Sequence, residues 1–306
     1  MKNAIVTGAG GFIGKRLVAA LLARGVNVYA LVRDQANLAE FNSDNLFIYE
    51  ISLSDYKDIP LSITQRNFDV CYHLAWQGTF GESFKDYKIQ MNNAVFSVDL
   101  LRSIKQIDCK KFVFAGSIVE IEVKKYFTTD CLKPRMSCVY GTAKLAAEML
   151  CKTFAYSEGI EFNCAILSSI FGVGDYSKRI HNSLIHALHK GIAPKLIEGN
   201  LLYDWLYVDD AVNGLIAIGD KGINFKNYYI GHRQLKTFRE IVIQVKDILN
   251  PNVELRFGEF PDEMPLDYSL IDLDALYEDT GFEAKCDFTK SIIETSQWLK
   301  SLKWKD

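Results

Sequence analysis

Apolar positions along the first half of the chain fall into short blocks of two alternating kinds. Asn3 to Thr7 is a brief apolar run that stops at Gly8. From Phe12 to Arg24 apolar residues recur at helical spacing, and Gly25 follows as a helix stop. Asn27 to Val32 reads as the next strand, and Val70 to Ala75, Lys111 to Ala115 and Asn163 to Ser168 as further buried strands. Helical periodicity fits between them at Asn92 to Gln106 and Ala143 to Ser157. Near-continuous apolar strands alternating with amphipathic helices predict an α/β fold whose parallel sheet is covered on both faces.

Beyond about residue 170 the pattern loosens. Gly172, Gly174, Gly191 and Gly199 interrupt it, and Pro251, Pro261 and Pro265 break the last third. The expected division is a nucleotide-binding part at 1–168 plus about 203–230, and a smaller lobe at about 169–202 plus 231–306. That lobe would lie over the carboxyl ends of the strands, where open α/β sheets bind ligands.

The first strand-to-helix junction reads Gly8-Ala9-Gly10-Gly11-Phe12-Ile13-Gly14. Gly8 permits a tight turn, Gly11 a close backbone approach to phosphate, and Gly14 close packing of the helix. The free N–H groups of Gly11, Phe12, Ile13 and Gly14 can then face a pyrophosphate. This predicts a Rossmann-type doubly wound sheet with a smaller C-terminal substrate lobe. The second strand ends at Val32 and Arg33 rather than at a carboxylate. A guanidinium there suits a 2′-phosphate, so NADPH is the expected cofactor, with NAD as the alternative because Asp34 follows at once.

A second constellation lies near the middle, in Tyr140-Gly141-Thr142-Ala143-Lys144. Tyr140 and Lys144 share a helix face. An ammonium beside a phenol lowers its pKa from the usual ~10, toward the range of general acid–base work. Lys144 can also bond the nicotinamide ribose. Ser117 ends a strand and can hold a substrate oxygen beside Tyr140. Together the two signals point to hydride transfer at an alcohol or ketone carbon.

Composition narrows the class. There are 35 Lys+Arg against 38 Asp+Glu, and the net charge of −3 suggests no nucleic-acid partner. No apolar run approaches the ~18 residues that span a bilayer. The N-terminus reads directly into a strand without a signal peptide, and the seven cysteines are an odd number without metal-like pairing. A cytoplasmic protein with reduced thiols and no membrane association is expected. Cys109, Cys138 and Cys151 read as small buried apolar groups, and His181, His186 and His189 as helix-face residues with no metal role.

The chain resembles the extended short-chain dehydrogenase/reductase family, in its nucleotide-sugar epimerase/dehydratase branch. The matching segments are Thr7 to Gly14, His73-Leu74-Ala75, Asn93, Ser117, Tyr140 to Lys144 and Tyr207-Val208-Asp209-Asp210, with weaker likeness at Ile230-Gly231 and Asp279-Thr280-Gly281-Phe282. The resemblance implies that Ser117, Tyr140 and Lys144 form the catalytic triad. It implies that Leu74, Ala75 and Trp76 line the cofactor, with Ser52 and Leu53 at the adenine end. It also implies a homodimer formed through the helices near 92–106 and 143–157.

Family dehydratases carry an acidic pair directly after the catalytic Ser or Thr, where this chain has Ile118 and Val119. Family 3,5-epimerases carry a Cys and a His where this chain has Val119 and Gly174. Both chemistries are thus disfavoured. A 4-ketoreductase and an NAD-retaining C4 epimerase remain, and Arg33 favours the reductase. The segments Trp76-Gln77-Gly78 and Gly116-Ser117-Ile118-Val119-Glu120 resemble bacterial reductases that make deoxyhexoses for surface polysaccharides. The expected substrate is a nucleoside-diphosphate 4-keto-6-deoxyhexose.

Departures from the family pattern concern the diphosphate. Tyr203 stands where an arginine is usual, Ser169 where an asparagine is usual, and Ser52 where an adenine-contacting aspartate is usual. A second arginine is missing near Met264-Pro265. Gly78, Ser169, Arg179, Asn182 and Tyr203 are the candidate substrate residues, with Arg233 and Arg256 as further stand-ins for the arginines. These departures keep two alternatives open: a reductase of small non-nucleotide carbonyls, and a catalytically silent cofactor-binding regulator.

Overall fold

The structure is a computed structural model that describes residues 1–130, 133–260 and 266–302. Cys131 and the Met264-Pro265 turn lie outside the described residues.

The chain opens with β1 (Asn3–Thr7), α1 (Phe12–Ala23), β2 (Asn27–Val32), β3 (Leu46–Glu50), the short α2 (Ile59–Ser62) and β4 (Phe68–His73). It continues through α3 (Tyr87–Gln106), β5 (Cys109–Ser117), α4 (Val119–Thr128), α5 (Cys138–Glu158), β6 (Glu161–Leu167) and β7 (Ser169–Phe171). Then come α6 (Ile180–His189), β8 (Lys195–Ile197), β9 (Leu202–Tyr203), β10 (Trp205–Tyr207), α7 (Val208–Lys221) and β11 (Asn227–Ile230). Last are β12 (Lys236–Thr237), α8 (Phe238–Leu249), β13 (Arg256–Phe260), α9 (Ala275–Thr280) and α10 (Phe288–Ser301).

Seven strands form one sheet in the order β11-β6-β5-β4-β1-β2-β3, and every pair is parallel. The strands are buried on both faces because side chains alternate across a strand. Ala4 and Val6 of β1 join one core with Leu17 and Leu21 of α1 and Leu215 of α7. Ile5 joins the other with Leu100 and Ile104 of α3 and Ala147 of α5. Order reverses at β1, with β2 on one side and β4 on the other, so a crevice opens at the carboxyl ends of these strands. The segments after β6 make three two-stranded sheets, β10-β7, β12-β9 and β13-β8.

Two helices begin earlier than periodicity predicts. α3 starts at Tyr87 because the Asp86 carboxylate caps it, accepting the N–H groups of Lys88 at 2.9 Å and Ile89 at 3.1 Å. α5 starts at Cys138, so Tyr140 lies in its first turn. α4 was not predicted at all. It packs against α5 where Gly141 gives it room: a Cβ there would stand 2.8 Å from the Val119 carbonyl oxygen. No helix among the described residues is long and apolar enough to cross a membrane. The six described cysteines are free thiols, five of them buried.

Candidate active site

A cleft of about 930 Å³ opens over the carboxyl ends of β1, β2, β4 and β5. Its floor is the turn after β1. Gly8 has φ +66°, and a Cβ there would stand 2.8 Å from the Ala75 backbone nitrogen. Gly11 donates its N–H to the Gly8 carbonyl at 2.9 Å, and a Cβ on Gly14 would stand 2.1 Å from that same oxygen. The turn is therefore closed as tightly as backbone atoms permit. α1 begins with no side-chain cap and no acidic residue in its first turn. Gly11, Phe12, Ile13 and Gly14 line the cleft, so the free first-turn N–H groups of Phe12, Ile13 and Gly14 and the partial positive charge of the helix start lie at its floor. This cradle fits a dinucleotide pyrophosphate.

The wall after β4 is held by buried polar groups. The Thr7 hydroxyl accepts the Ala75 N–H at 3.2 Å and lies 2.8 Å from His73 Nδ1. His73 Nε2 is 2.9 Å from the Ser97 hydroxyl, which donates to the Asn93 carbonyl. Burial, aided by the Lys144 charge, pushes the His73 pKa down to about 3, so this imidazole is a neutral strut. Asn93 exchanges hydrogen bonds with both backbone groups of Gln77. Gln90 was missed by sequence reading. It is fully buried, accepts from the Trp76 indole at 2.8 Å and donates to the carbonyls of Gly78 and Ser83. Gln90, Asn93 and Ser97 are spaced i, i+3 and i+7 on α3, a buried polar stripe where an apolar one is usual. That stripe was the available signal.

The end of the cleft over β2 is lined by Val32, Arg33, Asn37, Ser52 and Leu53. Asp34 is turned away, because its carboxylate accepts the Ala36 N–H at 2.8 Å and caps a short helical turn. Among the described residues Arg33 forms no ion pair.

The opposite end brings Ser117, Tyr140 and Lys144 together with Leu74, Ala75, Trp76, Gly78 and Arg179. Their electrostatics differ from expectation in one respect. The Lys144 ammonium does not depress the phenol. It lies 3.7 Å from the centre of the Trp76 ring and donates to the Ala115 carbonyl at 2.8 Å. Burial pushes Tyr140 up to about 12, while the Arg179 charge and a hydrogen bond with Ser117 oppose the rise. The phenol is thus a protonated group, stacked on Phe84 at 4.5 Å and edge-on to Trp76 at 6.1 Å. Arg179 also donates to the Thr79 carbonyl at 3.4 Å, which links the two walls of the cleft.

Three candidate substrate residues stand elsewhere. Ser169 points to His181, with 3.0 Å between its hydroxyl and Nε2, because neighbours on a strand face opposite ways and Ser168 is the one lining the cleft. Asn182 is buried and donates to the carbonyls of Asp175 and Ser177, bracing that loop from behind. Tyr203 lies in β9 and packs on Phe238 at 5.3 Å, outside the cleft lining. Arg233 is paired with Asp274 over the Tyr277 ring, and Arg256 begins β13; neither lines the cleft. His189 bonds the Ser296 hydroxyl at 2.6 Å.

The other matching segments join strands and loops distant in the chain. Asp210 accepts the N–H groups of Lys285 and Cys286, each at 3.0 Å. Asp204 is buried and accepts from the Tyr229 hydroxyl at 2.7 Å and the His232 N–H at 2.8 Å, so the end of β11 is pinned to the strand region before β10.

Comparison with known proteins agrees with this geometry. A dTDP-6-deoxy-L-talose 4-dehydrogenase (NAD(+)) of Aggregatibacter actinomycetemcomitans is 30% identical over 68% of this chain and 76% of its own length. UDP-glucose 4-epimerase 4 of Oryza sativa subsp. japonica is 24% identical over 97% of this chain and 89% of its own. The fold matches the crystal structure of the Bordetella bronchiseptica enzyme WbmF in complex with NAD+ and UDP, with a TM-score of 0.79, 22% identity, and coverage of 98% of this chain and 92% of that one. Residues 4–231 match the sequence signature of the NAD dependent epimerase/dehydratase family. With three quarters of its length under that signature, the chain belongs to this family, within the extended short-chain dehydrogenases/reductases, and is an enzyme of the nucleotide-sugar epimerase/dehydratase type.

Proposed function

We propose that this enzyme reduces the C4 ketone of a nucleoside-diphosphate 4-keto-6-deoxyhexose with NADPH, as a cytoplasmic homodimer. The observation that carries the reading is the union in one cleft of an unpaired Arg33 at one end and Ser117, Tyr140 and Lys144 at the other. Residues 1–168 plus about 203–230 would hold the cofactor, and the remainder the sugar nucleotide. Gly11, Phe12, Ile13 and Gly14 would hold the pyrophosphate, Arg33 the 2′-phosphate, Ser52 and Leu53 the adenine side, and Lys144 the nicotinamide ribose. A bound nicotinamide would supply the hydride for C4. Tyr140, protonated because it is buried, donates its proton to the C4 oxygen, which the Ser117 hydroxyl orients. Trp76 and Phe84 shield the phenol from water. Arg179, the one candidate stand-in arginine in the cleft lining, would meet an anionic group of the substrate.

NADPH oxidation with nucleoside-diphosphate 4-keto-6-deoxyhexoses is the direct test. Turnover of one of them is expected, and dinucleotide binding without turnover of any would refute the reading. Arg33→Ala is expected to lower the ratio of NADPH to NADH efficiency about 10- to 100-fold, the worth of hydrogen bonds to a charged phosphate. An unchanged ratio would remove Arg33 from the site.

A C4 epimerase is the second reading, favoured by the likeness to UDP-glucose 4-epimerase 4 across 97% of this chain. It needs the same three side chains. Such an enzyme would release tightly held NAD on denaturation and would interconvert C4 epimers without added reductant.

Exposed Met91 and Val95 on α3, with Met149, Leu150 and Tyr156 on α5, support the dimer, since these two helices pack side by side. Sedimentation is expected to give about twice 34.7 kDa. Val95→Glu combined with Met149→Glu should return a monomer.

A further inference from the structure

Behind Ser117, away from the cleft, lie two carboxyls that the proposed reaction does not use. Glu120 is in the first turn of α4, three residues past Ser117, and Glu148 is four residues past Lys144 on α5. Glu120 is 0% exposed and Glu148 2%. Glu120 Oε1 accepts the Ser117 N–H at 2.8 Å. Glu148 Oε1 accepts from the Asn227 side chain on β11. The second oxygen of each carboxyl, Oε2, has no conventional partner. Oxygens of the two carboxyls and the Cys164 sulfur all lie within 4.8 Å of one another. Gly116 leaves the necessary room: a Cβ there would stand 2.7 Å from Cys164 Sγ and 3.0 Å from Glu120 Oε1.

The charged and titratable groups facing this cluster are few. Tyr140, Lys144 and Cys151 come from α5, Cys164 from β6, and Lys124 from α4. Two buried carboxylates this close cannot both be ionised. Two neutral acids would leave the Lys144 ammonium, only 4% exposed, without a buried counter-charge. One proton shared by the two carboxyls, whose oxygens lie within 4.8 Å of each other, meets both demands and leaves one negative charge.

We propose that Glu120 and Glu148 share a single proton and together form the buried counter-ion that keeps Lys144 charged and in place beside Tyr140. They are positioning residues, and the inference rests on the reading of Lys144 as a cofactor-binding and catalytic residue. The electrostatics agree. Burial and the neighbouring Glu148 hold the Glu120 carboxyl well above the usual carboxylate range. Burial lowers Lys144 to about 8, and Glu120 opposes that fall. Glu120 also grips the Ser117 backbone, so one group links the support of the hydroxyl to that of the ammonium.

The test needs neither sugar nor dinucleotide, so it stands apart from the fate of the proposed reaction. At pH 7 the wild-type protein should show the infrared C=O stretch of one buried protonated carboxylic acid. Glu120→Gln and Glu148→Gln should each abolish that band. Each amide mimics the protonated partner and leaves one negative charge, so both variants should fold and retain the titration midpoint of Lys144. That midpoint is read by NMR of ε-13C-lysine and assigned with Lys144→Met. The double variant Glu120→Gln/Glu148→Gln removes the charge, and the Lys144 midpoint should drop by roughly one pH unit or more. A wild-type protein without the band, or a double variant with an unmoved midpoint, would overturn the proposal. So would a stoichiometric metal ion that is lost in either single variant.

Discussion

Tyr140→Phe is expected to lower turnover about 10²- to 10⁴-fold, the range for losing a general acid, while dinucleotide affinity stays within a factor of a few. The ring is held by its faces, stacked on Phe84 and edge-on to Trp76, so phenylalanine keeps that packing and loses the hydroxyl, with its proton and its hydrogen bond to Ser117. The pH profile sharpens the expectation. In the reducing direction Tyr140 must be protonated, and burial holds its pKa at about 12, so the phenol is ready across the neutral range. Lys144 must also be charged, and its pKa of about 8 sets the earlier limit. For both groups the active form is the protonated one, so kcat/KM should fall as pH rises through about 8 and not as pH falls through neutrality. Stopped-flow oxidation of NADPH by a 4-keto sugar nucleotide measures both. Full activity of the phenylalanine variant would show that the proton comes from another group.

Gly14→Ala should damage both stability and dinucleotide binding. Its Cβ would stand 2.1 Å from the Gly8 carbonyl oxygen, and that oxygen is fixed by the Gly11 N–H at 2.9 Å and by the backbone of Ala75 behind Gly8. Neither atom belongs to a flexible side chain, so the turn must open. A stability loss of about 1–3 kcal/mol is expected, as for overpacked sites. Dinucleotide affinity should fall about tenfold or more, because the displaced atoms form the pyrophosphate cradle. Gly25→Ala is the control. Gly25 has φ +73° and nothing within 4 Å of its added Cβ, so only the left-handed conformation is penalised, at about 1–2 kcal/mol. Urea unfolding and fluorescence titration with dinucleotide separate the two. Normal binding by Gly14→Ala would mean that the turn is not the cofactor cradle.

The elements that the sequence made legible are those whose causes are local. β1 and β2 have the predicted bounds because each is a short apolar run enclosed by turn residues. The start of α3 was predicted five positions late, since capping by Asp86 extends it through Tyr87 and Lys88, where no apolar periodicity is visible. Ser169 is a substrate candidate by analogy with the family's asparagine, yet its hydroxyl meets His181 and Ser168 lines the cleft instead. Tyr203 was placed by analogy at the diphosphate, yet the β9-β12 pairing carries it to Phe238.

The α/β class, the glycine turn and the tyrosine–lysine spacing can be read from the chain alone, because strand–helix alternation, a strand-to-helix junction and a four-residue helical offset are local patterns. Which charges those groups feel is set by how distant segments pack. Lys144 meets Trp76 and Ala115, Tyr140 meets Arg179, and Glu148 meets Glu120 and Asn227, all across gaps in the chain that no local periodicity spans. Electrostatic interactions in a buried site follow distance in space and the exclusion of water, and both are set by how distant segments pack.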